Sequence, residues 1–149
     1  MTNHYPIGLH FLCEYYDCDL SRFCPAESNV KAELSRIVDI LSSRGLSPLG
    51  TSDHFFGPSA VSACINLSES HLNFHTWPEF GYVALDVFCC SPRSDLEEIL
   101  HELISEIGEK VFSAGNQVLN IFRRGEALRN NDRNSRSGDV NILFEQESI

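Results

Sequence analysis

Three side chains able to do chemistry fall close together in this sequence. They are Ser70, His75 and Cys90, within the stretch Leu-Ser-Glu-Ser-His-Leu-Asn-Phe-His-Thr-Trp-Pro-Glu-Phe-Gly-Tyr-Val-Ala-Leu-Asp-Val-Phe-Cys-Cys of residues 67–90. A hydroxyl supplies a nucleophile once a neighbour takes its proton, an imidazole carries protons near neutral pH, and a thiol can return one. Strand-forming runs flank a turn-forming centre, Trp77-Pro78-Glu79-Phe80-Gly81. A hairpin centred on Phe80 places Ser70 across from Cys90, with Cβ atoms about 5 Å apart, and lets His75 join them in one small volume. Register decides this, because a slip of one residue sends side chains to the other face.

The elements around the hairpin are legible. Residues 7–16 are rich in strand formers and read as a first strand, ended by Asp17-Cys18-Asp19. Ser28 is the expected N-cap of a helix to about Arg44, with Val30, Leu34, Ile37, Val38 and Leu41 on one face and Gly45 as its C′ residue. Residues 46–56 and 60–67 read as strands separated by Gly57-Pro58-Ser59. Ser94-Asp95-Leu96-Glu97 has the pattern of a capping box, opening a helix with Leu96, Ile99, Leu100, Leu103 and Ile107 on its apolar side. Residues 116–123 then form a last strand. Beyond Gly125 the composition turns polar, and residues 125–149 read as a mobile tail with a possible short strand at 140–144.

Composition excludes several classes. A length of 149 residues suits one domain, and no apolar run is long enough to span a bilayer. The first residues lack a basic segment followed by an apolar one, so a cytoplasmic address is expected. A net charge of −10 speaks against nucleic acid and suits a cationic substrate. The six cysteines contain no C-x-x-C pair, and the Cys13, Cys18, Cys24 spacing fits no common zinc site, so no metal is expected.

The central stretch resembles the processing and active site of the short prokaryotic S-adenosylmethionine decarboxylases. Glu69-Ser70-His71, His75 to Glu79 and Gly81 to Cys90 carry the resemblance, with Gly8-Leu9-His10 and His54-Phe55-Phe56-Gly57-Pro58 upstream. It implies a proenzyme that cuts itself between Glu69 and Ser70. Ser70 Oγ would attack the Glu69 carbonyl, converting amide to ester, and β-elimination with hydrolysis would leave a pyruvoyl group at position 70. That group would form a Schiff base with the substrate's amine and accept electrons as CO2 leaves. By the same resemblance His75 is the processing acid or base, Ser62 assists processing, and Cys90 is the proton donor. Phe56 would stack on the adenine, and Glu79 would bond the ribose hydroxyls. His71 and Asp86 belong to the motif but need only hold local geometry, and His10 reads more simply as a packed strand histidine. Cys89 stands where the family more often has threonine and Ser91 where it has glycine.

The expected fold is an α+β two-layer sandwich, an antiparallel sheet with two helices on one face, over residues 1–124. The expected function is decarboxylation of S-adenosylmethionine for spermidine synthesis, by a dimer with sites at its interface, acting on a small molecule without nucleic acid or membrane. Two alternatives stand beside it: a pyruvoyl-dependent decarboxylase of a free amino acid such as arginine or ornithine, and an unprocessed binding subunit.

Overall fold

The computed structural model describes residues 7–56 and 59–125. Six strands and two helices follow in the order β1 (Gly8–Tyr16), α1 (Glu27–Ser43), β2 (Pro48–Phe56), β3 (Ala60–Leu67), β4 (Ser70–Trp77), β5 (Tyr82–Cys89), α2 (Leu96–Lys110) and β6 (Asn116–Arg124). The strands form one sheet in the order β2-β3-β4-β5-β1-β6, with every neighbouring pair antiparallel. This is the expected two-layer α+β sandwich. Most of the proposed tail and its suggested strand at 140–144 lie outside the described residues.

Alternation along the strands sorts the two faces. Leu9, Phe11, Cys13 and Tyr15 of β1, with Leu72, Phe74 and Thr76 of β4, and Val83, Leu85, Val87 and Cys89 of β5, are buried beneath the helices. His10, Leu12, Glu14 and Tyr16, with His71, Asn73, His75 and Trp77, occupy the opposite face, which no helix covers. The chemistry expected from the sequence therefore lies on an open sheet.

The helices are tied to each other and to the sheet by specific contacts. Arg44 donates to Glu106 at 2.8 and 3.1 Å and also pairs with Glu102, joining the end of α1 to α2. Tyr15 donates its hydroxyl to the Ile104 carbonyl at 2.6 Å. Gly108 lets α2 approach there, since a Cβ at that position would lie 2.6 Å from Tyr15 Cε1. Gly108→Ala is expected to lower the urea midpoint with little change in slope. Overpacking costs about 1–3 kcal/mol, which outweighs the ~1 kcal/mol gain in helix propensity.

Both expected helix caps differ from what is found. Helix α1 starts after Ala26 with no side-chain cap, while Asn29 bonds back to the Cys24 carbonyl and Ser28 to Asn29. Helix α2 starts after Asp95, one residue later than the expected cap Ser94, and has no side-chain cap. Arg93 holds the Asp95 carboxylate at 3.0 and 3.1 Å, and Arg123 holds Glu97 at 2.7 Å. Ion pairing thus took the Glu97 carboxylate that the box would have used, and it also holds Asp95, the residue that precedes the helix. Gly45, by contrast, ends α1 with φ 79°, as expected of a C′ glycine.

Candidate active site

Strands β3 and β4 are joined by a two-residue turn, Ser68-Glu69, with Leu67 paired to Ser70. Hairpin turns of this length normally place positive φ at the turn residues. Here neither turn residue has it, and Ser70 does, at φ 146°. Such a conformation is costly for a residue with a Cβ, on the order of 1–3 kcal/mol. The strained torsion is about the N–Cα bond of Ser70, next to the Glu69–Ser70 peptide bond.

The turn is pinned from three sides. The Ser47 amide donates to the Glu69 carboxylate at 3.1 Å, and Ser68 N–H bonds the Ser47 carbonyl at 2.9 Å. Burial pushes the Glu69 carboxyl up, but the Ser47 amide and the Ser68 hydroxyl, helped by Glu69's own amide and the Ser47 hydroxyl, outweigh it and hold the group below its ordinary range. The Cys90 amide donates to the Glu69 carbonyl oxygen at 2.8 Å. That carbonyl is the one an attack by Ser70 would convert to an oxyanion, and a fixed N–H on it is a preorganised stabiliser.

The hairpin register corrects the expectation from sequence. Ser70 pairs with Cys89, not with Cys90, because the β4–β5 connection takes a 3-10 turn at Pro78–Phe80 closed by Gly81 at φ 57°. The slip would put Ser70 and Cys90 on opposite faces. The unusual φ at Ser70 takes its side chain out of the alternation, and Ser70 Oγ lies 3.5 Å from Cys90 Sγ. Cys89 is fully buried in the core, where burial pushes its thiol up to about 12. Cys90 is exposed at the strand's end.

His75 does not join this pair. It sits five residues along β4, about 16 Å away at 3.3 Å per residue. It belongs to a second group instead. Ser62 on β3 pairs directly with His75, and His54 on β2 pairs with Ser62. Phe56, 52% exposed, packs edge-on against His54 at 4.4 Å. Trp77 lies 6.2 Å from His75, and Glu79 follows in the turn at the hairpin's far end. A groove of about 450 Å3 runs past His54, Ser62, Asn73 and His75. The predicted site residues thus form two groups at opposite ends of the same open face. One holds Ser70 and Cys90, the other Ser62, His75, Phe56 and Glu79.

A family model described as S-adenosylmethionine decarboxylase matches residues 9–123, which include both groups. The chain belongs to the S-adenosylmethionine decarboxylase family. Its relatives include the S-adenosylmethionine decarboxylase proenzyme of Prochlorococcus marinus, 37% identical over 119 residues, covering 79% of this chain and 87% of the relative. The proenzyme of Clostridium tetani is 34% identical over 124 residues, covering 83% and 94%. The crystal structure of the adenosylmethionine decarboxylase of Aquifex aeolicus shares the fold, with a TM-score of 0.63 at 21% identity over 81% of this chain and 92% of that one.

Between the two ends of this decarboxylase-family face lies a polar group that the sequence left open. His10 and His71 each place Nε2 3.0 Å from the same Asp86 oxygen. The three ligand atoms lie within 4.8 Å of one another, close enough to hold an ion. The polarity argues otherwise. Arg124 stands 3.0 Å from His10 Nδ1 and can only donate, so His10 carries its proton on Nε2, facing Asp86. A metal on Nε2 would instead need a proton on Nδ1, against the guanidinium. The group is a hydrogen-bonded chain that fixes both rings around Phe88.

Sequence reasoning did not find the Cys90 amide on the Glu69 carbonyl, or Asn73, whose Oδ1 is buried without a partner among the described residues. The first depends on register and the second on burial, and neither is carried by residue type. Among the described residues no helix is long and apolar enough to cross a membrane.

Proposed function

We propose that the chain cuts itself between Glu69 and Ser70, and that the cut protein decarboxylates S-adenosylmethionine using a pyruvoyl group made from Ser70. The observation that carries this reading is the geometry at one peptide bond. Ser70 is held at φ 146°, with its Oγ beside Cys90 and the preceding carbonyl on the Cys90 amide. Attack by Oγ on the Glu69 carbonyl breaks the C–N bond and forms an ester, while the Cys90 N–H steadies the oxygen that gains charge. Elimination then frees the Glu69 carboxylate and leaves dehydroalanine at position 70, whose imine tautomer water hydrolyses to the pyruvoyl group with release of ammonia.

The residues fit the group. A pyruvoyl carbon at position 70 is planar and heads a new chain, so the strained φ no longer exists after cutting. Loss of that strain favours cleavage by the same 1–3 kcal/mol, roughly, that the torsion costs. The pyruvoyl carbonyl supplies the electron sink that departure of CO2 needs. Cys90, with its thiol 3.5 Å from Ser70 Oγ, is placed to return a proton at the neighbouring carbon.

The second group supports a two-copy site. His75, Ser62, Phe56 and Glu79 cannot reach Ser70 within one chain. A second copy packed face to face on the open sheet, related by a two-fold axis, would bring its His75 end against this chain's Ser70 end. Leu12, Tyr16, Trp77, Val118 and Phe122 are exposed on this face, the apolar surface such packing would cover. The orphaned Asn73 Oδ1 would gain a donor there or from substrate. In that composite site, Phe56 would stack on adenine and gain cation–π attraction to the sulfonium, and Glu79 would accept from the ribose hydroxyls.

Intact mass under denaturing conditions tests the reading. Two chains split between Glu69 and Ser70 are expected, the C-terminal one blocked to Edman degradation and reactive to carbonyl reagents. Turnover of S-adenosylmethionine, with none of ornithine or arginine, is expected to follow. A full-length chain that persists on incubation and ignores carbonyl reagents would overturn the proposal.

A further inference from the structure

Gly8 begins β1 on the open face, in phase with His10 and Leu12. Its φ is negative or extended, so backbone conformation does not require glycine. Space does. A Cβ at this position would lie 2.6 Å from Phe88 Cε2, 2.9 Å from Phe88 Cζ and 3.0 Å from Cys90 Sγ. We propose that Gly8 is a positioning residue for Cys90: its missing side chain is the space in which the Phe88 ring and the Cys90 thiol settle beside Ser70.

Neither side of the contact can retreat easily. The strand is held on one flank by pairing of Gly8 with Arg124, where the Ile7 amide bonds the Arg124 carbonyl at 3.0 Å. On the other flank Leu9 pairs with Cys89. The Phe88 ring is hemmed by His10 at 5.4 Å, His71 at 6.0 Å and the Arg124 guanidinium at 5.5 Å, and both imidazoles are tied to Asp86. The freest member of the contact is Cys90, exposed at the end of β5. An added methyl group must press back the Phe88 ring, 2.6 Å away, and crowds Sγ at 3.0 Å as well, so the thiol, the freest of the three, is displaced from Ser70 while the Cys90 amide stays on the Glu69 carbonyl.

The inference rests on the reading of Cys90 as proton donor, and Gly8→Ala separates the two. Self-cleavage is expected to go to completion, because it uses the Cys90 amide and not its thiol. In the cut enzyme kcat is expected to fall about 100-fold, the cost of misplacing a reacting group by about 1 Å, with KM nearly unchanged. Alkylation of Cys90 by iodoacetamide, located by peptide mass, reads the thiol's position without any turnover, and its rate is expected to change in Gly8→Ala. Phe88→Leu removes the ring atoms nearest the new methyl group, so the double variant is expected to recover most of both readouts.

Wild-type kcat and alkylation rate in Gly8→Ala would overturn the assignment. Failure of Phe88→Leu to restore either readout would do the same, as would failure of both the single and double variants to fold, which would place the constraint in strand pairing. A wild-type chain that neither cuts nor turns over substrate would instead sink the proposed function, and the alkylation comparison would still decide the role of Gly8.

Discussion

Ser70→Ala is expected to leave one full-length chain, unreactive to carbonyl reagents and without decarboxylase activity above background. The variant removes the hydroxyl proposed to attack the Glu69 carbonyl, so the proposed pyruvoyl precursor is lost along with the cut. Structure is expected to survive, because the Ser70 hydroxyl contacts only Cys90 and the turn is held by Ser47, Ser68 and the Cys90 amide. Ser70→Gly is equally uncut and adds a second readout. Glycine in a strand normally costs about 0.5–1 kcal/mol relative to alanine. At φ 146° the sign reverses, since glycine adopts that torsion freely and alanine does not. Urea unfolding is expected to find Ser70→Gly more stable than Ser70→Ala by about 1 kcal/mol. Equal cutting of either variant would end the self-processing proposal, and a less stable glycine variant would show that position 70 stores no strain.

How much of this was written in the sequence depends on which kind of interaction set it. Strand and helix identity followed from periodicity, and the cores of α1 and α2 follow the apolar positions Val30, Leu34, Ile37 and Leu41, and Leu96, Leu100, Leu103 and Ile107. Burial of one face is a property of residue type and spacing, so it survives translation into three dimensions. The caps did not: the helices start after Ala26 and Asp95 instead of at Ser28 and Ser94, and Glu97 is bound by Arg123, which is distant in sequence. The placing of Ser70 beside Cys90 was expected for a reason the structure replaces. A symmetric hairpin about Phe80 would have done it, whereas the real register opposes it and a strained torsion restores it. The expected convergence of His75 on the same volume fails on distance alone. Strand rise fixes five residues at about 16 Å, a constraint the sequence already contained.

That distance gives the other large effect. His75→Ala is expected to slow self-cleavage by roughly 10²–10⁴-fold, the range for losing a positioned acid or base. Within one chain His75 lies about 16 Å from Ser70 along β4, so on the proposed reading it acts on Ser70 of a second copy. The decisive form of the experiment is a mixture. A His75→Ala chain, coexpressed with a Ser70→Ala chain of different tag length, keeps its own Ser70 and meets the partner's His75. In heterodimers isolated through both tags it is expected to be cut to near completion, while the Ser70→Ala chain stays whole. Each variant alone is expected to stay whole. A His75→Ala chain that cuts alone at the wild-type rate would remove His75 from processing. One that stays uncut in the mixture, with heterodimers present by differential tag purification, would leave His75 acting only in its own chain and defeat the two-copy site. Selective cutting of one tagged chain has no explanation in a site built from a single copy.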